Sequence, residues 1–292
     1  MSDRESMPAW LVALVALVAL AGVLAQPAPA TAQQRPLVTE DPVTVGAGQI
    51  LLEAGVDWAR GITFPVSGLR GRLVSGPTMG ISVGVGPIAE IQVDGSFYRR
   101  LTITERRPAP LSAALSFTGD RTTAVDDFVI ATKLRLLNEA PGRPAIGLRF
   151  ATKLPNASNE SGLGHDTTDF FASLLVAKTV TSIRIVGNVG VAIVGDPTVA
   201  ARQEDLLTVG LSLARAIGGG LELVTEYNGR MNLAASSPVP GTENRGVARA
   251  GVRFTRGPVR VDAAALVGAT STDLDFGATA GLTWIFTAFR LP

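Results

Sequence analysis

The residues best placed to do chemistry are charged side chains that recur on alternate positions of extended segments. Glu53, Asp57, Glu90 and Asp94 form an acidic set, and Lys133, Arg135, Arg149 and Lys153 form a basic one. Further along, Glu222 and Glu226 are followed by Arg249, Arg253 and Arg260, with Arg184, Arg230 and Asp262 in equivalent positions. Gathered inside one enclosure, these sixteen side chains could act in two ways. They could neutralise one another as a salt-bridge lattice, or set up a transverse field across a wet path that selects small polar or amphipathic solutes. The two are compatible, and the residue pattern leaves both open.

Other chemistries have little to stand on. His165 is the only histidine, and it lies in the Gly/Ser/Asn-rich stretch PNASNESGLGHDTTD without a nucleophile motif. Hydrolytic catalysis needs an imidazole, a hydroxyl and an orienting group within hydrogen-bond reach, so no catalytic residue is assigned and the chain is read as a non-enzyme. With one histidine and no cysteine, thiolate and mixed zinc sites are excluded, and no metal or cofactor is expected. A formal charge of +1 without a basic stripe argues against nucleic acid as a partner. GVGVGP lacks the strand–loop–helix setting of a phosphate loop.

The charges must be held by strands. From residue 48 the sequence runs in segments of about ten residues with period-two alternation. Ala89 to Tyr98 sets Ile91, Val93 and Phe97 against Glu90, Gln92, Asp94, Ser96 and Tyr98. Asp275 to Phe286, DFGATAGLTWIF, sets Phe276, Leu282, Trp284 and Phe286 against glycines and threonines. Twelve such strands are predicted, beginning at Gln49, Met79, Ala89, Val125, Ala145, Asp169, Ile183, Leu206, Leu221, Gly246, Val259 and Asp275. Connections alternate long (59–77, 99–124, 155–168, 195–205, 232–245, 268–274) and short, as in outer-membrane barrels with long outer loops and short periplasmic turns. Facing lipid, each lysine or arginine would cost about 2–4 kcal/mol at the bilayer centre. The charged face therefore points inward, and the fold predicted is an all-β, transmembrane, antiparallel up-and-down barrel. Twelve strands give a backbone radius of roughly 12 Å, which leaves a narrow lumen.

The termini complete the domain plan. Residues 9–25 are an unbroken apolar run and Ala30-Thr31-Ala32 is a small-x-small cleavage site, so 1–32 reads as a signal peptide. Residues 33–47 are expected to be a short periplasmic segment, 48–286 the barrel and 287–292 a tail. Thr279-x-Gly281-x-x-Trp284-x-Phe286 resembles the C-terminal signal read by outer-membrane assembly machinery. Outer-membrane lipid and that machinery are the expected partners, besides small-molecule solutes.

Several stretches resemble a family of outer-membrane β-barrel transporters labelled as phenol-degradation meta-pathway proteins. They are Arg35 to Asp41 followed by Gly48-Gln49 and Leu52 to Gly55, then DFVIATKLRLL from Asp127, and GRPAIGLRFATKLPNAS from Gly142 leading into GLGHDTTDF. The resemblance implies an outer-membrane channel passing small hydrophobic or amphipathic compounds, aromatic ones included. It implies no defined site residues. It also implies kinship in concept with long-chain fatty-acid channels, whose N-terminal hatch this chain is expected to lack, because only about 15 residues precede the first strand. A sealed barrel displaying the loops 99–124 and 232–245 is the alternative reading.

Overall fold

A computed structural model describes residues 35–199, 201–233 and 239–289. The expected signal peptide and the last residues of the expected tail lie outside the described residues. Among the described residues fourteen strands make one antiparallel sheet: β1 (Gln49–Phe64), β2 (Leu69–Gly84), β3 (Ala89–Ser96), β4 (Arg99–Arg106), β5 (Arg121–Ala124), β6 (Val129–Leu137) and β7 (Ala145–Lys153) are followed by β8 (Asp169–Val180), β9 (Ile183–Gly195), β10 (Gln203–Gly218), β11 (Leu221–Asn232), β12 (Arg245–Arg256), β13 (Val259–Gly268) and β14 (Phe276–Thr287). β3 and β4 pair with successive halves of β2, and β5 and β6 continue that arrangement against β4 and β3. Each of these two pairs is therefore a single wall strand with a break, and the wall has twelve. β1 pairs with both β2 and β14, from Gln49↔Thr287 to Arg60↔Phe276, which closes the barrel.

The alternation sets the two faces. Val56, Trp58, Ile91, Val93, Phe150, Leu174, Leu211, Val261, Leu282 and Trp284 are exposed on the outside. Glu53, Glu90, Gln92, Lys133, Ser212, Glu226, Arg253, Asp262 and Thr283 are buried inside. An apolar exterior over a polar interior is the reverse of a soluble barrel and fits a hydrocarbon surround.

Four expectations are corrected. Residues 59–77 are not a long loop, because β1 and β2 run on to a tight turn at 65–68. Likewise the third wall strand continues to Arg106 and returns at Arg121. Bulges hide both continuations from the alternation. Gly76-Pro77 and Phe97-Tyr98 each insert an extra residue, joined by Gly76 N–H to Tyr98 O at 2.8 Å and Phe97 N–H to Pro77 O at 3.2 Å. After such an insertion every side chain changes face. Tyr98, expected inside, is thus exposed beside Phe97, while Arg99, Leu101 and Ile103 turn inward. Thr287 is the last residue of β14 rather than the first of a tail.

The lipid-facing assignment predicts that Leu211→Arg, near the middle of β10, lowers folding stability in phosphatidylcholine vesicles by about 2–4 kcal/mol. Denaturant titration reads this directly. A loss below about 0.5 kcal/mol would place this face in water.

Candidate functional site: a lumen crossed by the N-terminal segment

The segment expected in the periplasm, 33–47, lies from Arg35 onward inside the barrel. Leu37, Thr39, Glu40, Thr44 and Val45 are all buried. With Pro36 and Pro42 in it, this segment belongs to no strand. A peptide without its own ladder must still satisfy its backbone donors, and acids from the predicted lumen set supply the acceptors. Glu226 Oε2 accepts from Val38 N–H at 2.8 Å and Thr39 N–H at 2.6 Å. Glu53 Oε1 accepts from Arg35 N–H at 3.3 Å, and Glu90 Oε2 accepts from Val45 N–H. Asn188 exchanges two bonds with Glu40, donating to its carbonyl at 2.8 Å and accepting from its amide at 2.7 Å.

The segment's own charges complete the wall's ion pairs. Register places Glu90, Lys133 and Arg149 side by side on β3, β6 and β7. Lys133 Nζ lies 2.9 Å from Glu90 and 3.2 Å from Glu40, and Arg149 Nε lies 3.0 Å from Glu40. Gln92 ties the group together, donating to Glu90 at 2.8 Å and accepting from Arg149 at 2.8 Å. Asp94 is a looser neighbour, 3.8 Å from Arg149. Asp41 takes a two-pronged bond from Arg184, 2.8 Å on each side. Arg35 donates to Thr279 and Thr78 at 2.7 and 3.1 Å and lies 3.6 Å from Asp262 and 3.9 Å from Asp57. Its guanidinium rests over Gly55 and Gly281, paired across β1 and β14, where a Cβ would stand 2.3 and 2.2 Å from it.

Other members of the set pair within the wall. Arg253 reaches Glu222 at 3.2 Å and the Arg35 carbonyl at 2.7 Å. Arg249 meets Glu226 at 2.7 Å. Lys153 sits between Asp127 and Asp169 at 3.1 and 2.9 Å, and Arg260 donates to Thr255 at 3.0 Å. Arg230 donates upward to the Gly241 carbonyl at 2.6 Å. Arg135 does not join the wall opposite Glu90 and Asp94. A register shift next to it, between Arg135 and Leu137, accompanies its guanidinium's bond to the Pro87 carbonyl at the turn below. Sequence reasoning missed Arg35, Glu40 and Asp41. The available signal was Leu37, Val38, Val43 and Val45 interleaved with charges in a stretch of no strand period.

At the other end, three hairpin tips converge. Two wall strands separate β1–β2 from β7–β8, two separate that pair from β11–β12, and two more return to β1. Val66, Leu163 and Val239 are buried where the tips meet. Ser67 Oγ donates to Gly162 O at 2.8 Å, and Arg245 reaches Thr63 O at 3.1 Å. Gly241 adopts φ +98° and its missing Cβ would lie 2.9 Å from Val66 and 3.3 Å from His165, so only glycine fits. Beside the inserted segment lie cavities of about 500 and 490 Å³. Val38, Glu40, Arg149 and Phe171 border both.

His165 belongs to the cover. Burial, with a smaller effect from Lys153, holds its imidazole down to about 4. Among the described residues no group of three or more His, Cys, Asp or Glu side chains is placed to hold a metal ion.

Two expectations follow. Lys133→Met leaves Glu90 buried without a counter-charge and Glu40 with Arg149 alone and should cost about 3–5 kcal/mol, whereas Arg135→Gln should stay within about 1 kcal/mol. Equal losses in denaturant titration would overturn the arrangement. For His165 the folded pKa is depressed, so its contribution is complete above the unfolded value of about 6.5 and falls away as pH drops toward 4. Hydrogen exchange of 162–168 should accelerate over that window, and His165→Asn should flatten the change.

No family model and no curated protein matches the chain. Among solved structures, the COG4313 outer membrane channel from Pseudomonas putida F1 is 11% identical, with 89% of this chain and 100% of that one covered at a TM-score of 0.59. The translocator domain of the autotransporter NalP from Neisseria meningitidis is 13% identical over 82% of this chain and 89% of that one, at 0.48. The outer membrane channel DcaP of Acinetobacter baumannii is 10% identical over 82% and 96%, at 0.41. At these identities the first likeness shows the fold alone: a closed twelve-stranded antiparallel barrel of the outer-membrane kind.

Proposed function

We propose that the protein is an outer-membrane channel for small hydrophobic or amphipathic molecules, aromatic compounds among them, held closed by its own N-terminal segment. The observation that carries this reading is the pair of cavities beside the segment. The cavity of about 500 Å³ has a lining that mixes apolar Val38, Ile62, Phe171 and Leu175 with polar Arg149, Asn188, Asn228 and Arg230. Such a lining suits a solute with one apolar and one polar end. The sequence resemblance to phenol-degradation transporters supports the same solute class.

The segment is attached by charges at its two halves, Arg35 on one side and Glu40-Asp41 on the other. Each attachment can be weakened without touching the strand ladder. A sealed barrel with a structural role is favoured by one observation: each of the segment's charges, Arg35, Glu40 and Asp41, lies within 4 Å of an opposite charge of the wall, as in a permanent filling. The two readings divide on what happens when the segment is loosened.

Arg35→Gln removes the charge held by Asp262 and Asp57, and Glu40→Gln weakens the Lys133–Arg149 attachment. The double variant should keep heat-modifiable migration while its planar-bilayer conductance rises by about tenfold or more, with liposome uptake of phenol rising in parallel. A folded double variant with protease-accessible residues 35–46 but no conductance and no uptake would decide for the sealed barrel.

A further inference from the structure

The outward face of the β1–β2–β4–β5 extension carries a cluster of arginines that neither the lumen nor the cover uses. Arg60, Arg72, Arg100 and Arg121 are all exposed. Register sets them together: the Arg60-Gly61 bulge lies opposite Arg72, Arg72 pairs with Thr102, and Thr102 pairs with Arg121. One row below, Trp58 pairs with Val74, Val74 with Arg100, and Arg100 with Thr123. Among the described residues none of these four guanidinium groups makes a hydrogen bond or ion pair. The nearby acids are largely engaged elsewhere. Asp275 is taken by Arg70 at 2.6 Å and Glu105 by Arg107 at 2.6 Å, leaving Asp120 beside Arg121 as the uncommitted carboxylate.

Position on the wall says what such a cluster faces. The apolar outer face of β1 runs from Ile50 to Trp58. At usual rise and tilt that stretch spans about 21 Å, close to the roughly 25 Å apolar band of these barrels. Arg60 and its neighbours therefore begin where hydrocarbon ends, on the side of the long loops. Beside and below them on the outer face lie Trp58, Phe97 and Tyr98, with Phe276, the partner of Arg60, packed on Trp58. Four unpaired guanidinium forks with two threonine hydroxyls between them suit phosphate oxygens, which arginine binds through paired N–H groups.

We infer that this face binds a phosphorylated glycolipid of the outer leaflet, with the arginines on its phosphates and the acyl chains against Trp58, Val74 and Val93. The inference rests on the membrane orientation given above but is independent of transport. Two arguments select a lipid over a free anion. The cluster is continuous with the lipid-facing surface, and it is too open and exposed to retain a small ion by enclosure.

The test uses the full-length mature protein in detergent, titrated with diphosphoryl lipid A and read by native mass spectrometry. Changing Arg60, Arg72, Arg100 and Arg121 together to Gln should weaken binding by about tenfold or more. Arg202→Gln, an exposed arginine on the distant β9–β10 loop, should leave it unchanged. Dephosphorylated lipid should bind the wild type no better than lipid A binds the quadruple variant. Inorganic phosphate in excess should not displace lipid A. Equal binding by wild type and quadruple variant, or by dephosphorylated lipid, would overturn the proposal, and displacement by phosphate would assign the face to free anions instead. Heat-modifiable migration of the same samples separates this outcome from failure of the barrel reading: a folded barrel that does not bind removes only the lipid site.

Discussion

A sheet placed in hydrocarbon has no water to receive its edge groups, so its first and last strands must find each other. Here that requirement falls on twelve residue pairs between β1 and β14, from Gln49↔Thr287 to Arg60↔Phe276. The rest of the molecule depends on this seam. Once the ladder closes, strand alternation gives one face to lipid and the other to an enclosed space. Side chains that lipid would reject, above all Lys133, Arg149, Arg184 and Arg253, then have only the interior to occupy. The seam also makes a floor: Gly55 and Gly281 meet across it and leave room for the Arg35 guanidinium.

The interior is settled by a second constraint, the need of any buried backbone to be hydrogen-bonded. The N-terminal segment brings amide groups into a narrow polar space without a strand partner. Wall carboxylates answer them, Glu226 for Val38 and Thr39, Glu53 for Arg35 and Glu90 for Val45. Each of these acids also has a basic or hydroxyl neighbour: Arg249 for Glu226, Thr283 for Glu53 and Lys133 for Glu90. Lattice and filling are therefore one structure. The wall charges hold the segment, and the segment's Glu40 and Asp41 balance wall cations that would otherwise face one another.

The outer end follows from bulges. Insertions at Gly76-Pro77 and Phe97-Tyr98 change the facing of β2 and the third wall strand halfway along. Above that line Leu69, Leu73, Leu101 and Ile103 turn inward and pack with Phe64 and Leu163 into a small apolar core. That core anchors the β1–β2 tip where it meets the loops at 155–168 and 239–244. The same change of facing puts Arg72 and Arg100 outside, so the covered mouth and the basic outer face share one cause.

The sequence by itself determined the barrel. Alternation, strand count and the inward direction of charge are all local or periodic properties, and lipid penalises any other facing by several kcal/mol. Which face of each strand carries the charges was legible for the same reason, up to the bulges at Gly76-Pro77 and Phe97-Tyr98. The partners of those charges were not. Glu40 reaches Lys133 across 93 residues and Arg35 reaches Thr279 across 244, and no spacing along the chain encodes such meetings. The path of residues 35–47, the displacement of Arg135 to the Pro87 turn and the outward turn of Tyr98 were decided only in three dimensions. A strand pattern specifies which side of a wall a residue occupies. What fills the enclosed space depends on which groups remain unsatisfied after the wall has closed.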